Sequence, residues 1–272
     1  MRIKHTVFIT VILCIIGFGS FYLLQDTSKE STTDTATTPT IAKPAVTPVA
    51  TTTPPKTIVV SKPVNTETKT SVVSSDSWID KTSKTIESQA SNLNPEVLKT
   101  SLTAYRKAEK LGLNPKQVLT IVDYTMSSTE RRLWVIDMKN MKVLFNTWVA
   151  HGTNSGAAKP TSFSNKPSSL KSSVGVFITD APYTGGKGYS LRIRGLERNI
   201  NDNAYNRSIV FHGAWYVSSN FAKARGMMGR SWGCFAVDNK IVKSLINTIK
   251  EKSIVVAYYP NKYWQENSRF IN

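Results

Sequence analysis

The second half of the chain is a series of short apolar runs, each five to eleven residues long, separated by Gly, Asn, Ser and Pro. Such runs are typical of strands joined by turns. They lie at 118–125, 131–138, 142–152, 175–179, 189–196, 207–213 and 253–259. In one of them Leu191 and Ile193 alternate with Arg192 and Arg194, the pattern of a strand with one buried face. The sequence therefore predicts a mainly β domain.

Two helices are predicted beside these strands. Asn94 suits an N-cap, Pro95 suits the first helical position, and Gly112 follows as a stop signal. The face predicted to be buried carries Val97, Leu98, Leu102, Tyr105 and Leu111. A second helix is predicted over 238–251. Because the strands do not alternate regularly with helices, we do not expect a doubly wound parallel sheet. The predicted fold class is mainly β with a few helices.

The N-terminal segment differs in composition from the rest of the chain. Residues 6–24 carry no charge and follow Arg2 and Lys4. As a helix they would be about 28 Å long, close to the hydrocarbon thickness of a bilayer and longer than a secretory signal core. We therefore predict a membrane anchor within residues 1–25, with a cleaved signal segment as the alternative. The basic flank predicts that the remainder is exported to the periplasmic side of the cell envelope.

Residues 26–75 consist mainly of Thr, Ser, Pro, Val and Lys, without aromatic side chains to bury. This composition predicts a disordered tether. A flexible coil of this length spans roughly 40 Å root-mean-square. The tether would therefore hold a folded domain, predicted over 76–272, away from the membrane. Within that domain, 94–117 form a helical lead-in and 118–260 a β-rich core.

The chain has a formal net charge of +17. Residues 1–25 contribute two positive charges and residues 26–75 one, so +14 belongs to residues 76–272. Such a surface favours an anionic partner such as nucleic acid, acidic lipid or a cell-surface polymer. Solubility alone is an equally good explanation, so the charge does not decide the function.

The chain has only two cysteines. Cys14 lies in the apolar N-terminal run, so an intrachain disulfide is not expected and Cys234 is predicted to be a free thiol. Cys234 lies in the stretch "GRSWGCFAV" (229–237). The preceding Gly233 allows a carbonyl substrate to approach the backbone and lets N–H groups point at an oxyanion. These features favour a nucleophile, whereas a small buried hydrophobe is the alternative.

A cysteine nucleophile needs a neighbouring base, because a free thiol is mostly protonated at neutral pH. His151 and His212 each end an apolar run and precede a glycine, which places them at the rim of the predicted sheet. From these residues alone, either histidine suits a Cys/His enzyme. A zinc site formed by His151, His212 and Cys234 remains an alternative, although their spacing is not that of a compact metal motif.

Five stretches together resemble the L,D-transpeptidase catalytic domain (YkuD-like) family, in its murein L,D-transpeptidase branch. They are "VAHGTNSG" (149–156), "SSLKSSVGVFIT" (168–179), "GGKGYSLRIRGLE" (185–197), "RSIVFHGAWYVS" (207–218) and "GRSWGCFAVD" (229–238). The most specific part is the pair His212-Gly213 followed by Ser231-x-Gly233-Cys234. The resemblance covers about residues 94–260 and implies the β-sandwich-type catalytic domain of this family.

The resemblance implies a role for each motif residue. Cys234 matches the nucleophile and His212 the general base and later acid. Backbone N–H groups of Trp232, Gly233 and Cys234 are the candidates for the oxyanion hole, while Ser231 and Gly213 would support the two motifs. No metal and no cofactor are implied.

One position departs from the wider family, in which an arginine often stands two residues after the cysteine. Here that residue is Ala236, and the murein branch lacks the arginine as well. Substrate carboxylates would then need another partner, for which Arg230 and Arg207 are the candidates. His151 and Tyr216 are further candidates for lining the substrate pocket.

The resemblance implies a peptidoglycan L,D-transpeptidase that forms 3→3 cross-links between stem peptides through a thioester. The same site would also suit an L,D-carboxypeptidase or an enzyme that attaches proteins to the wall. A non-catalytic wall-binding module is the alternative from another class. The expected partners are peptidoglycan stem peptides, as donor tetrapeptide and acceptor amine, and the membrane through residues 6–24; a nucleic-acid partner is not expected.

Overall fold

A computed structural model describes residues 75–272. Its helices are α1 (Ser75–Glu87), α2 (Pro95–Lys110), α3 (Ser219–Arg225), α4 (Val242–Ile249) and α5 (Lys262–Asn267). Its strands are β1 (Val118–Asp123), β2 (Leu133–Asp137), β3 (Lys142–Thr147), β4 (Gly175–Gly185), β5 (Gly188–Gly195), β6 (Val210–Ala214), β7 (Phe235–Asp238) and β8 (Ile254–Tyr258). The predicted anchor (1–25) and the predicted tether up to residue 74 lie outside the described residues. Within residues 75–272, none of the helices has the length and apolarity needed to span a bilayer.

The eight strands form one sheet in the order β3-β2-β1-β8-β4-β5-β6-β7. The pairs β1/β8 and β6/β7 are parallel, and the other neighbours are antiparallel. The chain that follows β3 reaches β7 at the opposite edge, where the Ala150 N–H donates to the Ala236 carbonyl at 2.8 Å. An isolated bridge joins Gly152 to Ser231 beside it. The sheet thus curls until its edges meet and is nearly barrel-like, which confirms the predicted mainly β fold.

Strands β1, β2 and β8 bury both faces because their side chains alternate between two apolar clusters. On β1, Val122 belongs to the cluster enclosed by the curled sheet, whereas Leu119 and Ile121 belong to a second cluster on the other face. Residues of α4 complete the enclosed cluster, and residues of α1, α2 and α5 cover the second one. This arrangement explains why the strands appear in the sequence as nearly continuous apolar runs.

The structure corrects three details of the predicted elements. Residues 235–238 form strand β7, and the helix predicted over 238–251 begins only at Val242, because the Asp238 side chain accepts the Lys240 N–H in a turn. Leu111 is 58% exposed, since it caps α2 at its C-terminal end and does not lie on its buried face. The short helices α3 and α5, and α1 before the lead-in, were not predicted.

A buried carboxylate joins three separate parts of the fold. Glu197 accepts the Val176 N–H of β4 at 2.6 Å and the indole N–H of Trp264 in α5 at 3.1 Å. The Ser268 hydroxyl donates to its other oxygen. Burial raises the pKa of Glu197, and these hydrogen bonds act in the opposite direction by stabilising the charged form. The carboxylate thereby fixes the C-terminal residues on the sheet.

We expect Glu197→Ala to lower the free energy of unfolding by about 3 kcal/mol, because three buried donors lose their acceptor. Urea denaturation measures this change. The control is Glu266→Ala, which removes a carboxylate from an exposed ion pair with Lys262 and should cost no more than about 0.5 kcal/mol. Equal stability of the two variants would contradict the structural role of Glu197.

Candidate active site

The loop that carries Cys234 is held by both the side chain and the backbone of Ser231. The Ser231 hydroxyl donates to the Cys234 carbonyl at 2.7 Å and accepts the Gly233 N–H at 3.1 Å. The Ser231 N–H donates to the His151 carbonyl at 2.9 Å, and the Thr153 N–H donates to the Ser231 carbonyl at 2.8 Å. Four hydrogen bonds therefore define the backbone path that leads to the thiol.

Gly233 has a backbone conformation that other residues rarely adopt, with φ +117°. A Cβ at this position would lie 2.7 Å from the Lys171 carbonyl oxygen and 2.9 Å from Ile209 Cδ1. The loop therefore requires glycine immediately before the cysteine, for conformation and for space.

Parallel pairing of β6 with β7 brings Cys234 and His212 to one site. Phe211 pairs with Phe235, so Cys234, immediately before β7, lies beside the strand that carries His212. Both residues line a cavity of about 400 Å³. Cys234 is a free thiol, and its sulfur donates to the Ser208 carbonyl at 3.5 Å.

The tautomer of His212 follows from its hydrogen bond. Its Nδ1 lies 2.9 Å from the Gly213 carbonyl, which can only accept, so Nδ1 carries the proton. The other ring nitrogen, Nε2, then holds a lone pair and is able to take a proton. Gly213 thus contributes to the site through its backbone carbonyl, which fixes the tautomer of the preceding His212.

Burial keeps both groups neutral at rest. It raises the pKa of the Cys234 thiol, although a hydrogen bond from Val210 and the charges of Arg207 and Lys187 act in the opposite direction. Burial also lowers the pKa of His212, against the hydrogen bond to Gly213, and the charge of Lys187 lowers it further. At neutral pH the site therefore contains a protonated thiol and an uncharged imidazole.

The model of the L,D-transpeptidase catalytic domain family matches residues 89–258, more than half of the chain. The chain belongs to this family. The resemblance inferred from the motifs is thus confirmed. A comparison with curated proteins gave no match.

Among solved structures, this L,D-transpeptidase domain is similar to an L,D-transpeptidase from Mycobacterium smegmatis (13% identity, TM-score 0.34; 53% of this chain, 59% of that chain). It is also similar to L,D-transpeptidase 3 from Mycobacterium tuberculosis in complex with a faropenem-derived adduct (13% identity, TM-score 0.30; 53% of this chain, 60% of that chain). A third similar structure is an L,D-transpeptidase from Stackebrandtia nassauensis (14% identity, TM-score 0.31; 65% of this chain, 75% of that chain). The chain covers less than two thirds of both mycobacterial proteins, and the family assignment rests on the family model.

The structure separates the four substrate-binding candidates of the domain. Arg230, Tyr216 and Arg207 line the cavity of Cys234, whereas His151 does not. Tyr216 keeps its hydroxyl proton, because burial and the neighbouring Cys234 raise its pKa to about 12. Lys187, Tyr183 and Ser208 also line the cavity and were missed in the sequence. The glycine-rich segment "TGGKG" (184–188) indicates a turn, but which strand lies beside that turn depends on the sheet order.

The prediction that His151 lines the pocket is wrong. Its side chain is fully buried, and its Nδ1 accepts a hydrogen bond from Arg132 Nη2 at 2.8 Å. Its Nε2 therefore donates to the Gly156 carbonyl, at 3.3 Å. Burial and the charge of Arg132 lower the pKa of His151 to about 4, so the ring stays neutral. His151 acts on the site only through its backbone carbonyl, which accepts the Ser231 N–H.

Two further candidates change in the structure. The Gly233 N–H already donates to Ser231, so the predicted oxyanion donors are reduced to the N–H groups of Trp232 and Cys234. Arg207 donates from Nη1 to the Ser164 carbonyl and the Ser173 hydroxyl, and from Nη2 to the Ser169 hydroxyl and the Lys171 carbonyl. Only its Nε–H remains for a substrate.

The zinc alternative required three ligands to converge. Among the residues that the structure describes, no group of three or more His, Cys, Asp or Glu side chains is arranged to hold a metal ion.

We expect alkylation of Cys234 by iodoacetamide to be slower in the folded protein than in the urea-unfolded chain at neutral pH. The raised pKa of the thiol means that its thiolate forms only at higher pH, so the folded protein's rate should keep rising after that of the unfolded chain has levelled. Peptide mapping by mass spectrometry reports Cys234 separately from Cys14. A rate that levels near neutral pH would instead indicate a thiolate–imidazolium pair.

We expect Gly233→Ala to lower the free energy of unfolding by about 1–3 kcal/mol, because the new Cβ is strained and crowds the Lys171 carbonyl. The matched control is Gly186→Ala, where no atom lies within 4 Å of the added Cβ. That variant should remain within about 0.5 kcal/mol of the wild type in urea denaturation. A stable Gly233→Ala protein would mean that the loop adopts another conformation.

Proposed function

We propose that this protein is a cysteine-dependent peptidoglycan L,D-transpeptidase that forms 3→3 cross-links between stem peptides. The observation that carries the proposal is the single cavity that Cys234 and His212 share within an L,D-transpeptidase domain. A neutral imidazole with its lone pair on Nε2 is the form of histidine that acts as a general base.

In the acylation step, His212 Nε2 takes the thiol proton while Cys234 Sγ attacks the carbonyl between the L-centre and the D-centre of a donor tetrapeptide. The negative oxygen of the tetrahedral intermediate accepts hydrogen bonds from the N–H groups of Trp232 and Cys234. The C–N bond then breaks, and His212 returns its proton to the departing amine. The terminal D-amino acid leaves, and a thioester remains on Cys234.

In the second step, the side-chain amine of a neighbouring stem attacks the thioester carbonyl. His212 takes a proton from the amine, the C–S bond breaks, and the proton passes to the sulfur. Water in place of the amine would make the enzyme an L,D-carboxypeptidase, and an amine of a protein would attach that protein to the wall. These reactions differ only in the nucleophile that reaches the acyl-enzyme.

The cell envelope is the proposed location. The uncharged segment 6–24 after two basic residues supports an anchor in the cytoplasmic membrane, and residues 26–75 would tether the domain. The charge of +14 on residues 76–272 suits a polymer that carries carboxylates.

We expect the purified full-length protein to convert disaccharide tetrapeptides into dimers and to release one D-amino acid per cross-link. Liquid chromatography with mass spectrometry identifies the products. Cys234→Ala and His212→Ala should each lower the rate at least about 100-fold, because they remove the nucleophile and the base. Cys14→Ser is the matched control and should retain activity, since Cys14 lies in the predicted anchor.

The products also separate the alternatives. Tripeptides without dimers would support an L,D-carboxypeptidase, and full function of the Cys234→Ala variant would support a non-catalytic wall-binding module. Intact mass after incubation with a carbapenem tests the nucleophile independently, and one solved family member carries an adduct derived from faropenem. We expect one adduct per chain in the wild type and none in Cys234→Ala; folded wild-type protein without an adduct would contradict the mechanism.

A further inference from the structure

The cavity around Cys234 is positively charged. Three cationic side chains line it (Lys187, Arg207 and Arg230), and among residues 75–272 no Asp or Glu does. A cavity walled by one sign of charge attracts a ligand group of the opposite sign. Cys234 and His212 are themselves neutral at rest, so they do not compensate this charge. The cavity is therefore suited to a substrate that brings an anion close to the thiol.

The three cations differ in how much of their hydrogen-bonding capacity is free. The four terminal N–H groups of Arg207 are occupied by the 164–173 segment. Arg230 donates from Nη1 to the Thr153 and Gly156 carbonyls and retains Nη2 and Nε. The Lys187 ammonium has neither a hydrogen-bond partner nor an ion pair within residues 75–272. Lys187 is therefore the cation most available to a ligand.

The sheet places Lys187 beside the reactive groups. It occupies the tip of the β4–β5 hairpin, where Gly185 pairs with Gly188. The same hairpin lies alongside β6, because Ser190 of β5 pairs with His212. The charge of Lys187 accordingly affects the pKa of both His212 and Cys234. An anion bound by Lys187 would lie in the cavity that contains the thiol.

The proposed donor carries an anion, its terminal carboxylate, close to the carbonyl that Cys234 attacks. The terminal carboxylate belongs to the D-amino acid that leaves, and its carbon is separated by only two atoms from the carbonyl carbon that Cys234 attacks. Consecutive carbonyl carbons in a peptide lie within about 4 Å of each other. When the attacked carbonyl is at Sγ, the carboxylate must therefore lie inside the same cavity.

The position two residues after the cysteine is unable to supply this cation. Ala236 is fully buried, in a small apolar cluster with Ala150, Ala214, Val217 and Met228. A guanidinium there would enter this cluster without a partner, which costs several kcal/mol. The cation must come from another element of the fold.

We infer that Lys187, assisted by Arg230, binds the terminal carboxylate of the donor stem peptide and thereby determines the specificity of the acylation step. The inference rests on the proposed function. Lys187 touches the part of the substrate that leaves, so its contribution belongs to donor recognition and ends when the D-amino acid departs. The acceptor amine then approaches a thioester without this carboxylate.

The test compares two donors, a tetrapeptide with a free terminal carboxylate and the same peptide with a terminal amide. We expect the wild type to prefer the carboxylate donor by about 10- to 100-fold in kcat/KM, as is typical when a charged hydrogen bond is lost. In Lys187→Met this preference should fall to within about threefold, while Lys187→Arg should retain most of it. Arg230→Gln should reduce it partially.

The matched control is Lys139→Met. Lys139 is also an exposed lysine in a turn between two strands, the β2–β3 turn, and this variant should keep the wild-type preference. Thermal unfolding of all variants verifies that they are folded.

Each other outcome has a definite meaning. A Lys187→Met protein that slows both donors equally and shifts the pH profile of Cys234 alkylation would show that Lys187 acts on the thiol, and would overturn the inference. An unchanged preference would overturn it as well, while leaving the proposed function intact. A wild-type protein that converts neither donor would instead contradict the proposed function and the inference together.

Discussion

The hydrogen bonds that join the two edges of the curled sheet determine the geometry of the whole site. Residues 150–153 meet residues 231–236 along this seam, through the pairs Ala150–Ala236, His151–Ser231 and Thr153–Ser231. On one side of the seam, Ser231 holds the Cys234 loop; on the other, the chain leads back to β3. The contacts that close the sheet therefore also position Cys234, the proposed nucleophile, and burial of the enclosed core stabilises this arrangement.

A buried arginine makes hydrogen bonds to one side of the seam, at residues 149 and 151. Arg132 is fully buried and donates to the Val149 and Met126 carbonyls and to His151 Nδ1. Its guanidinium also lies 5.3 Å from the centre of the Tyr124 ring. The backbone carbonyls, together with the nearby carboxylates of Asp123 and Glu130, compensate part of the cost of burying this charge. Arg132 thus orders residues 149–151, and the His151 carbonyl of this segment accepts the Ser231 N–H. Arg132 itself does not line the cavity of Cys234.

Much of the fold was predictable because it depends on local patterns. The apolar runs of β1, β2 and β8 and the Asn94–Pro95 helix start reflect burial and capping, which neighbouring residues encode. The errors at the site have a common cause in long-range contacts. His151 and His212 both end an apolar run and precede a glycine. However, Arg132, which is distant in sequence, donates a hydrogen bond to the ring of His151, whereas strand pairing brings His212 to Cys234. Lys187 was missed because its position depends on which strand lies beside its hairpin, which the order of the sheet decides.

The motif residues were identified from their resemblance to a family, while their availability required the structure. Ser231 Oγ accepts the Gly233 N–H, so a donor that the motif offers is already occupied. Arg207 is similarly occupied by Ser164, Ser169, Lys171 and Ser173. A sequence records which groups exist; hydrogen-bond partners from other elements decide which of them remain free.

The neutral state of the Cys234–His212 pair also bears on the durability of the protein. Peroxides and disulfides react with thiolates far more readily than with protonated thiols. In the proposed mechanism Cys234 loses its proton only when a substrate carbonyl is in place, so the resting thiol stays in the less reactive, protonated form. A protonated thiol is oxidised slowly, so Cys234 would stay reduced without a reductant and would remain available for a substrate that fits the cavity.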